Sequence, residues 1–207
     1  MDPAMAAKLA NAVTERLFIP VSGGVEDWKL QLKFFLQVLK NQQGYLRTRW
    51  GPWSEDLQRL ELSIGWISIE AGDAFKKSKD YEEAMINFAP VLDGKPSSYY
   101  LRFKPLAPAA VINSPIVEAI SFDNSTESED AMRELVEKAS TVEGCNGVAS
   151  GYTLSEVEGK GKIFVAVIGW TSLDASKAAP KDLYYGTKKP EAHHVNFNFP
   201  IKGFRGL

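Results

Sequence analysis

Ile64-Gly65-Trp66-Ile67-Ser68-Ile69-Glu70-Ala71 returns further along the chain as Ile168-Gly169-Trp170-Thr171-Ser172-Leu173-Asp174-Ala175. The shared pattern is an apolar residue, Gly, Trp, Ser, an acidic residue and Ala. Each copy closes an apolar run, Leu60, Leu62, Ile64 and Trp66 in the first and Phe164, Ala166, Ile168 and Trp170 in the second. A run of that kind followed by Ser and an acid predicts a buried strand turning into a capped helix. Ser68 and Ser172 are the expected N-caps. Glu70 and Asp174 then fall in the first helical turn, where negative charge suits the helix dipole.

Outward from these copies the chain repeats as a whole. Val13 to Ile19 predicts a strand closed by Pro20, and Ile116-Val117-Glu118-Ala119-Ile120 matches it, with Glu118 against Glu15. Trp28, Leu32, Phe35 and Leu39 fall at helical spacing, as do Met132, Leu135, Val136 and Ala139. Gly147 is matched to Gly44, which sets Tyr152 opposite Arg49. The closing strands pair Tyr99 with His193 and Tyr100 with His194. Each unit reads β-α-β-β-α-β, the split ferredoxin-like order. The first repeat is expected over 13–104 and the second over 116–199. The proline-rich stretch 105–115 between them is read as a joint with no periodic packing.

The chain has 207 residues, 44% hydrophobic and 24% charged, with a net charge of −2. That is the composition of an ordinary globular protein, without the basic footprint that nucleic acid requires. Cys145 is the only cysteine, which excludes an internal disulfide and a thiolate metal cage. No apolar run reaches the length of a membrane span, and Met1 to Leu9 carries Asp2, Pro3 and Lys8 where a signal peptide would have its apolar core. A cytoplasmic protein is the default expectation. Met5 is a second candidate start, so the first four residues stay outside the fold reading.

A ferredoxin-like unit whose third strand runs into Trp-x-Ser-x-x-Ala, as at Trp66–Ala71 and Trp170–Ala175, resembles the dimeric α/β-barrel superfamily, in particular antibiotic-biosynthesis-monooxygenase-like domains in tandem, of the kind found in fungal proteins. The resemblance covers Val13 to Phe199. It implies an α+β fold in which two repeats form one pseudo-dimeric barrel, and a monomer, because the dimer face is satisfied internally. For function it implies a cofactor-free monooxygenase or polyketide cyclase of secondary metabolism. Many relatives carry His directly after the motif; this chain has Gly72 and Ser176, which removes that His from any mechanism. A small-molecule-binding or stress-response protein without catalysis is the alternative, and haem binding through a histidine is a third.

His193 and His194 are the only histidines, and as neighbours on a strand they face opposite sides. By parity His193 shares its face with Val195 and Phe197, and this apolar face is expected beneath the helices. There His193 would act as general base, with Tyr99, Tyr152 or an Arg as proton donor or oxyanion partner; a packed histidine bonded to a carbonyl is the structural alternative. No metal is expected, since two histidines on opposite faces cannot share an ion. Trp66, Trp170 and Trp50 are candidate walls of an aromatic pocket, or else core. Arg49 and His194 are candidate substrate contacts. Arg47, Arg49, Arg59, Glu61 and Arg102 make a polar strand face, which closure of the barrel would bury as salt bridges.

Overall fold

The computed structural model describes residues 2–207; Met1, and with it part of the expectation about the first four residues, lies outside them. The chain runs α1 (Pro3–Leu9), β1 (Val13–Pro20), α2 (Val25–Lys40), β2 (Tyr45–Pro52), β3 (Arg59–Trp66), α3 (Ile69–Lys76), α4 (Lys79–Phe88), β4 (Ser97–Leu101), α5 (Ala109–Ile112), β5 (Ile116–Phe122), α6 (Glu129–Glu137), β6 (Cys145–Tyr152), β7 (Phe164–Trp170), α7 (Leu173–Ala178), α8 (Lys181–Tyr185) and β8 (Glu191–Val195). Two four-stranded antiparallel sheets result, ordered β2-β3-β1-β4 and β6-β7-β5-β8. Both are ferredoxin-like, and the fold is α+β, as the repeat predicts. The chain divides into two compact units, one holding the residues up to Pro52, Asp56–Ser98 and Phe199–Leu207, the other Trp53–Glu55 and Tyr99–Asn198.

In the first unit, Glu15 lies opposite Ile64 and Leu17 opposite Leu62. Trp66 on this same face tilts against Phe75 of α3, so Leu60, Leu62, Ile64 and Trp66 all point toward the helices. α2 buries Trp28, Leu32, Phe35, Leu36 and Leu39, a stripe of helical period. Phe35 meets Phe75 and Phe88 edge-on at 6.0 and 5.9 Å. The other face of the sheet differs from expectation. Arg16 and Glu61 form a buried pair at 2.7 Å, but Arg49, Arg59 and Arg102 are exposed. Arg47 is half-buried, and burial followed by the charge of Arg49 lowers its pKa.

In the second unit, Ile116, Ile120, Phe122, Phe164, Ala166, Ile168 and Trp170 pack against Met132, Val136 and Tyr184 of the helices. The opposite face gathers Val117, Ala119, Val165, Val167, Val195 and Phe197 with Leu101, Phe103 and Val111. The joint therefore packs after all: α5 sets Val111 in this cluster, and a Cβ on Gly169 would stand 2.9 Å from Val111 Cα. Alanine-rich, proline-bounded sequence hid a helix of four residues.

The repeated motif has a packing reason at each position. Ser68 and Ser172 accept from the N–H of Ala71 and Ala175, capping α3 and α7. The N–H after each Trp, on Ile67 and Thr171, donates to the carbonyl of Gly44 and Gly144. These glycines have φ of 81° and 87°. A Cβ would meet Ala71 Cβ at 2.6 Å in the first case and Ala175 Cβ at 2.9 Å in the second. The motif alanine is small because this turn leans on it. The structural partner of Gly44 is thus Gly144, not Gly147, and Tyr152 ends its strand as Pro52 does. Gly147 pairs with Gly169 where Arg47 pairs with Gly65, so Arg49 corresponds to Ala149.

Gly159 also has positive φ, 74°, but nothing within 4 Å of its missing Cβ. Gly159→Ala should therefore cost only the left-handed strain, about 1 kcal/mol. Gly144→Ala should cost about 2–4 kcal/mol, strain plus collision. Urea midpoints at constant m-value read the difference.

Candidate functional site

The second unit places a carboxylate where its sheet is otherwise apolar. Glu118 stands in mid-strand on the helix face of β5 and has no exposed surface. Such a charge survives only if its lone pairs are filled. Trp170 Nε1 donates to Oε2 at 3.0 Å, Tyr184 OH at 3.1 Å and Ser176 Oγ at 3.2 Å. Lys181 Nζ and Tyr185 OH reach Oε1 at 2.7 and 2.6 Å. Burial, and then the Glu118 charge, push both tyrosine phenols well above their ordinary range, so they stay donors. Lys181 also lies within 6 Å of the ring centroids of Trp170, Tyr184 and Tyr185, at 5.7, 5.4 and 5.9 Å.

The elements bring these groups together for local reasons. The Ser172 cap fixes the start of α7, which carries Ser176 over the sheet. Pro180 then breaks the helix and restarts it as α8, turning Lys181, Tyr184 and Tyr185 onto Glu118. β8 pairs with β5 so that His194 stands directly across from Glu118. Its Nε2 is 2.8 Å from Ser176 Oγ. Its Nδ1 bonds Glu55, whose carboxylate also takes the His194 backbone N–H at 2.9 and 3.1 Å. Glu55 is held by a strap in which Trp53 bridges to Val195 and Ser54 N–H donates to His194 carbonyl at 2.8 Å. Burial opposes the Glu55 charge, but the backbone and ring N–H bonds from His194 prevail and lower its pKa. An ionised Glu55 fixes the imidazole proton on Nδ1, leaving Nε2 as the acceptor.

The two histidines do face opposite sides, with the sides reversed from expectation. His194, not His193, lies beneath the helices, because β8 pairs so that Glu118 is its neighbour. His193 is half-buried on the other face and stacks on Trp53 at 3.8 Å and 19°. Tyr99 packs against that same face's apolar cluster. Tyr152 lies on the helix side, its OH donating to Glu127 carbonyl and bonding Ser125, both at 2.7 Å. Tyr152 therefore lies on the opposite face of the sheet from His193 and Tyr99, and the three do not form the constellation expected around His193. Trp66 and Trp170 are fully buried, with indole N–H bonds to Glu15 at 2.8 Å and Glu118 at 3.0 Å. Trp50 packs on Phe204 at 5.2 Å. Arg49 is exposed on β2.

The first unit holds the frame of the same site without its reactive part. Glu15 takes the Trp66 indole, and Lys76 ion-pairs with it at 2.8 Å. Burial and then the Glu15 charge raise the Tyr81 pKa. In the first repeat Gly72 stands in place of Ser176, and Tyr100, which belongs to the second compact unit, is the repeat counterpart of His194. The signal for Glu118 was in the sequence: a lone acid within an apolar strand, present in both repeats. Tyr184 and Tyr185 were hidden behind Pro180, and Glu55 sits in a loop with no pattern. Among the described residues no three His, Cys, Asp or Glu side chains gather to hold a metal ion, and no helix is long and apolar enough to cross a membrane.

No family model and no curated protein sequence matches the chain. Solved structures do match its fold. An anthrone oxidase-like protein superposes with a TM-score of 0.65 at 11% identity, over 89% of this chain and 90% of that one. A candidate monooxygenase from Fusobacterium nucleatum subsp. nucleatum ATCC 25586 gives 0.58 at 12%, over 90% and 92%. Another from Lactobacillus acidophilus NCFM gives 0.56 at 9%, over 89% and 93%. The tandem antibiotic-biosynthesis-monooxygenase-like fold implied by the two Trp motifs is therefore present.

Because Glu55 is depressed in the folded state, the stability it contributes is complete above the ordinary glutamate range and is lost as pH falls through the folded value. Its side chain is 46% exposed, so screening keeps the contribution small. Glu55→Gln should lower the melting temperature at pH 7, and the gap to wild type should close below about pH 4. A gap that widens on acidification would contradict this account.

Proposed function

We propose that the chain is a cofactor-independent monooxygenase-type enzyme for an acidic aromatic ketone, with the second unit's His194 as general base. The observation that carries this is the 2.8 Å contact between His194 Nε2 and Ser176 Oγ. The helix position where related proteins have His is filled here by Ser176, yet an imidazole from β8 stands against it. Its Nδ1 is held by a carboxylate, an arrangement that orients a base and steadies its charged form. The imidazole side chain keeps 10% of its surface open and Lys181 keeps 30%. In this proposal substrate reaches the imidazole through that open part, and the Lys181 ammonium is the cation available to a developing enolate oxygen.

The substrate class follows from what a base alone can start. A CH2 group between two aromatic rings and conjugated to a carbonyl, as in anthrone, loses a proton to give an enolate. The enolate passes one electron to O2, the radical pair joins as a C–O–O–H group, and loss of water leaves a second carbonyl. One CH2 and one O2 become one C=O and one H2O. The anthrone oxidase-like name of one fold neighbour supports this class. Cyclisation of a poly-β-keto chain would use the same base and consume no oxygen.

Oxygen uptake with anthrone, corrected for its spontaneous oxidation, tests the proposal. The rate should fall as pH drops and the imidazole is protonated. His194→Ala should lower kcat/KM roughly 100-fold or more, and His193→Ala should change it only a few-fold. Wild-type uptake in His194→Ala would refute the assignment.

A further inference from the structure

Ser176 has one hydroxyl proton and two acceptors competing for it. Lys181 Nζ donates to its Oγ at 3.2 Å, while Glu118 Oε2 lies at 3.2 Å and His194 Nε2 at 2.8 Å. Glu118 Oε2 is an acceptor that also takes the Trp170 and Tyr184 donors. Nε2 accepts only while the imidazole is neutral, since Nδ1 already carries a proton for Glu55. The geometry points to Ser176 as a proton relay: its hydroxyl serves His194 while the imidazole is neutral and turns to Glu118 once the imidazole takes up a proton. The balance is one proton gained at Nε2, given up by the substrate CH2 in the proposed reaction or by water in a titration. Ser176 keeps one throughout, and Nε2–H then donates back to Oγ. This relay depends on the proposed general base for its use in catalysis, though not for its chemistry.

The charged and titratable groups around Ser176, Glu118 and His194 come from every element packed there: Lys181, Tyr184 and Tyr185 of α8 and the Trp170 indole of β7 bond Glu118 of β5, and Glu55 of the strap bonds the imidazole. Cys145 borders the cluster with its thiol pushed up by burial. With neutral imidazole the charges are Glu118 and Glu55 against Lys181 alone; the incoming proton balances them. The order Ser176–His194–Glu55 also has the outline of an acyl-transfer triad. Ser176, however, has no exposed surface, and its Oγ is already bonded to an ammonium and a carboxylate, so no acyl group can reach it.

The two histidines make the test direct, because proton NMR of the folded protein resolves only two imidazoles. In Ser176→Ala, Nε2–H loses its acceptor and its link to Glu118, a larger loss for the charged ring than for the neutral one. The His194 titration midpoint should move to lower pH while His193 serves as an unmoved reference. Ser176→Thr, which keeps the hydroxyl, should restore it. Should Ser176→Ala not fold, Ser176→Gly puts in the residue that the first repeat has at Gly72 and should give the same shift. A His194 midpoint unmoved in the folded variant overturns the relay, whatever the oxygen uptake. A shift as expected, in a protein that does not oxidise anthrone, upholds the relay and removes the enzyme proposal instead.

Discussion

The hydrogen bond from a tryptophan indole to a buried glutamate holds each half of this protein together. Trp66 on Glu15 and Trp170 on Glu118 join the end of a central strand to the middle of its neighbour, under a helix that starts three residues later. A carboxylate so deep in a sheet would cost several kcal/mol unpaired, so everything around it is chosen to donate. A lysine adds its charge in both halves, Lys76 from the end of α3 in the first and Lys181 from α8 in the second. The capping serine, the small alanine and the positive-φ glycine then fix where that helix begins. The conspicuous sequence motif is the visible edge of an electrostatic arrangement whose centre is a residue outside it.

Most of the fold is legible in the sequence because its determinants are periodic or local. Alternation in β3 and β7, the helical stripe of α2 and the serine caps all act within a few residues. What escapes such reading depends on register or on contacts distant in sequence. Matching Gly44 to Gly147 instead of Gly144 shifts β6 against β2 and sets Tyr152 beside the wrong partner. His193 stands out over His194 because its face looks apolar; only the pairing of β8 with β5 reveals which face the helices cover. Glu55 joins His194 across more than half the chain, and no spacing rule anticipates that.

Comparison of the halves separates what the fold needs from what it can be made to do. Glutamate, tryptophan and lysine occur in both, and serine and histidine in one. The shared set neutralises a buried charge. In the second, Ser176 and His194 add to that charge the hydrogen-bond chain on which the proposed proton path rests. The first repeat has Gly72 where the second has Ser176.

Trp53–Glu55 lies in sequence between two strands of the first sheet but belongs to the second unit, and Phe199–Leu207 follows the second repeat but belongs to the first. The two compact units are therefore interleaved along the chain. Cutting the chain at the proline-rich joint would separate His194 from its carboxylate and Trp50 from Phe204. Neither product would be a complete compact unit. Recombination that shuffles one half among related proteins would face the same obstacle, so the halves are bound to be inherited, and to diverge, as one gene.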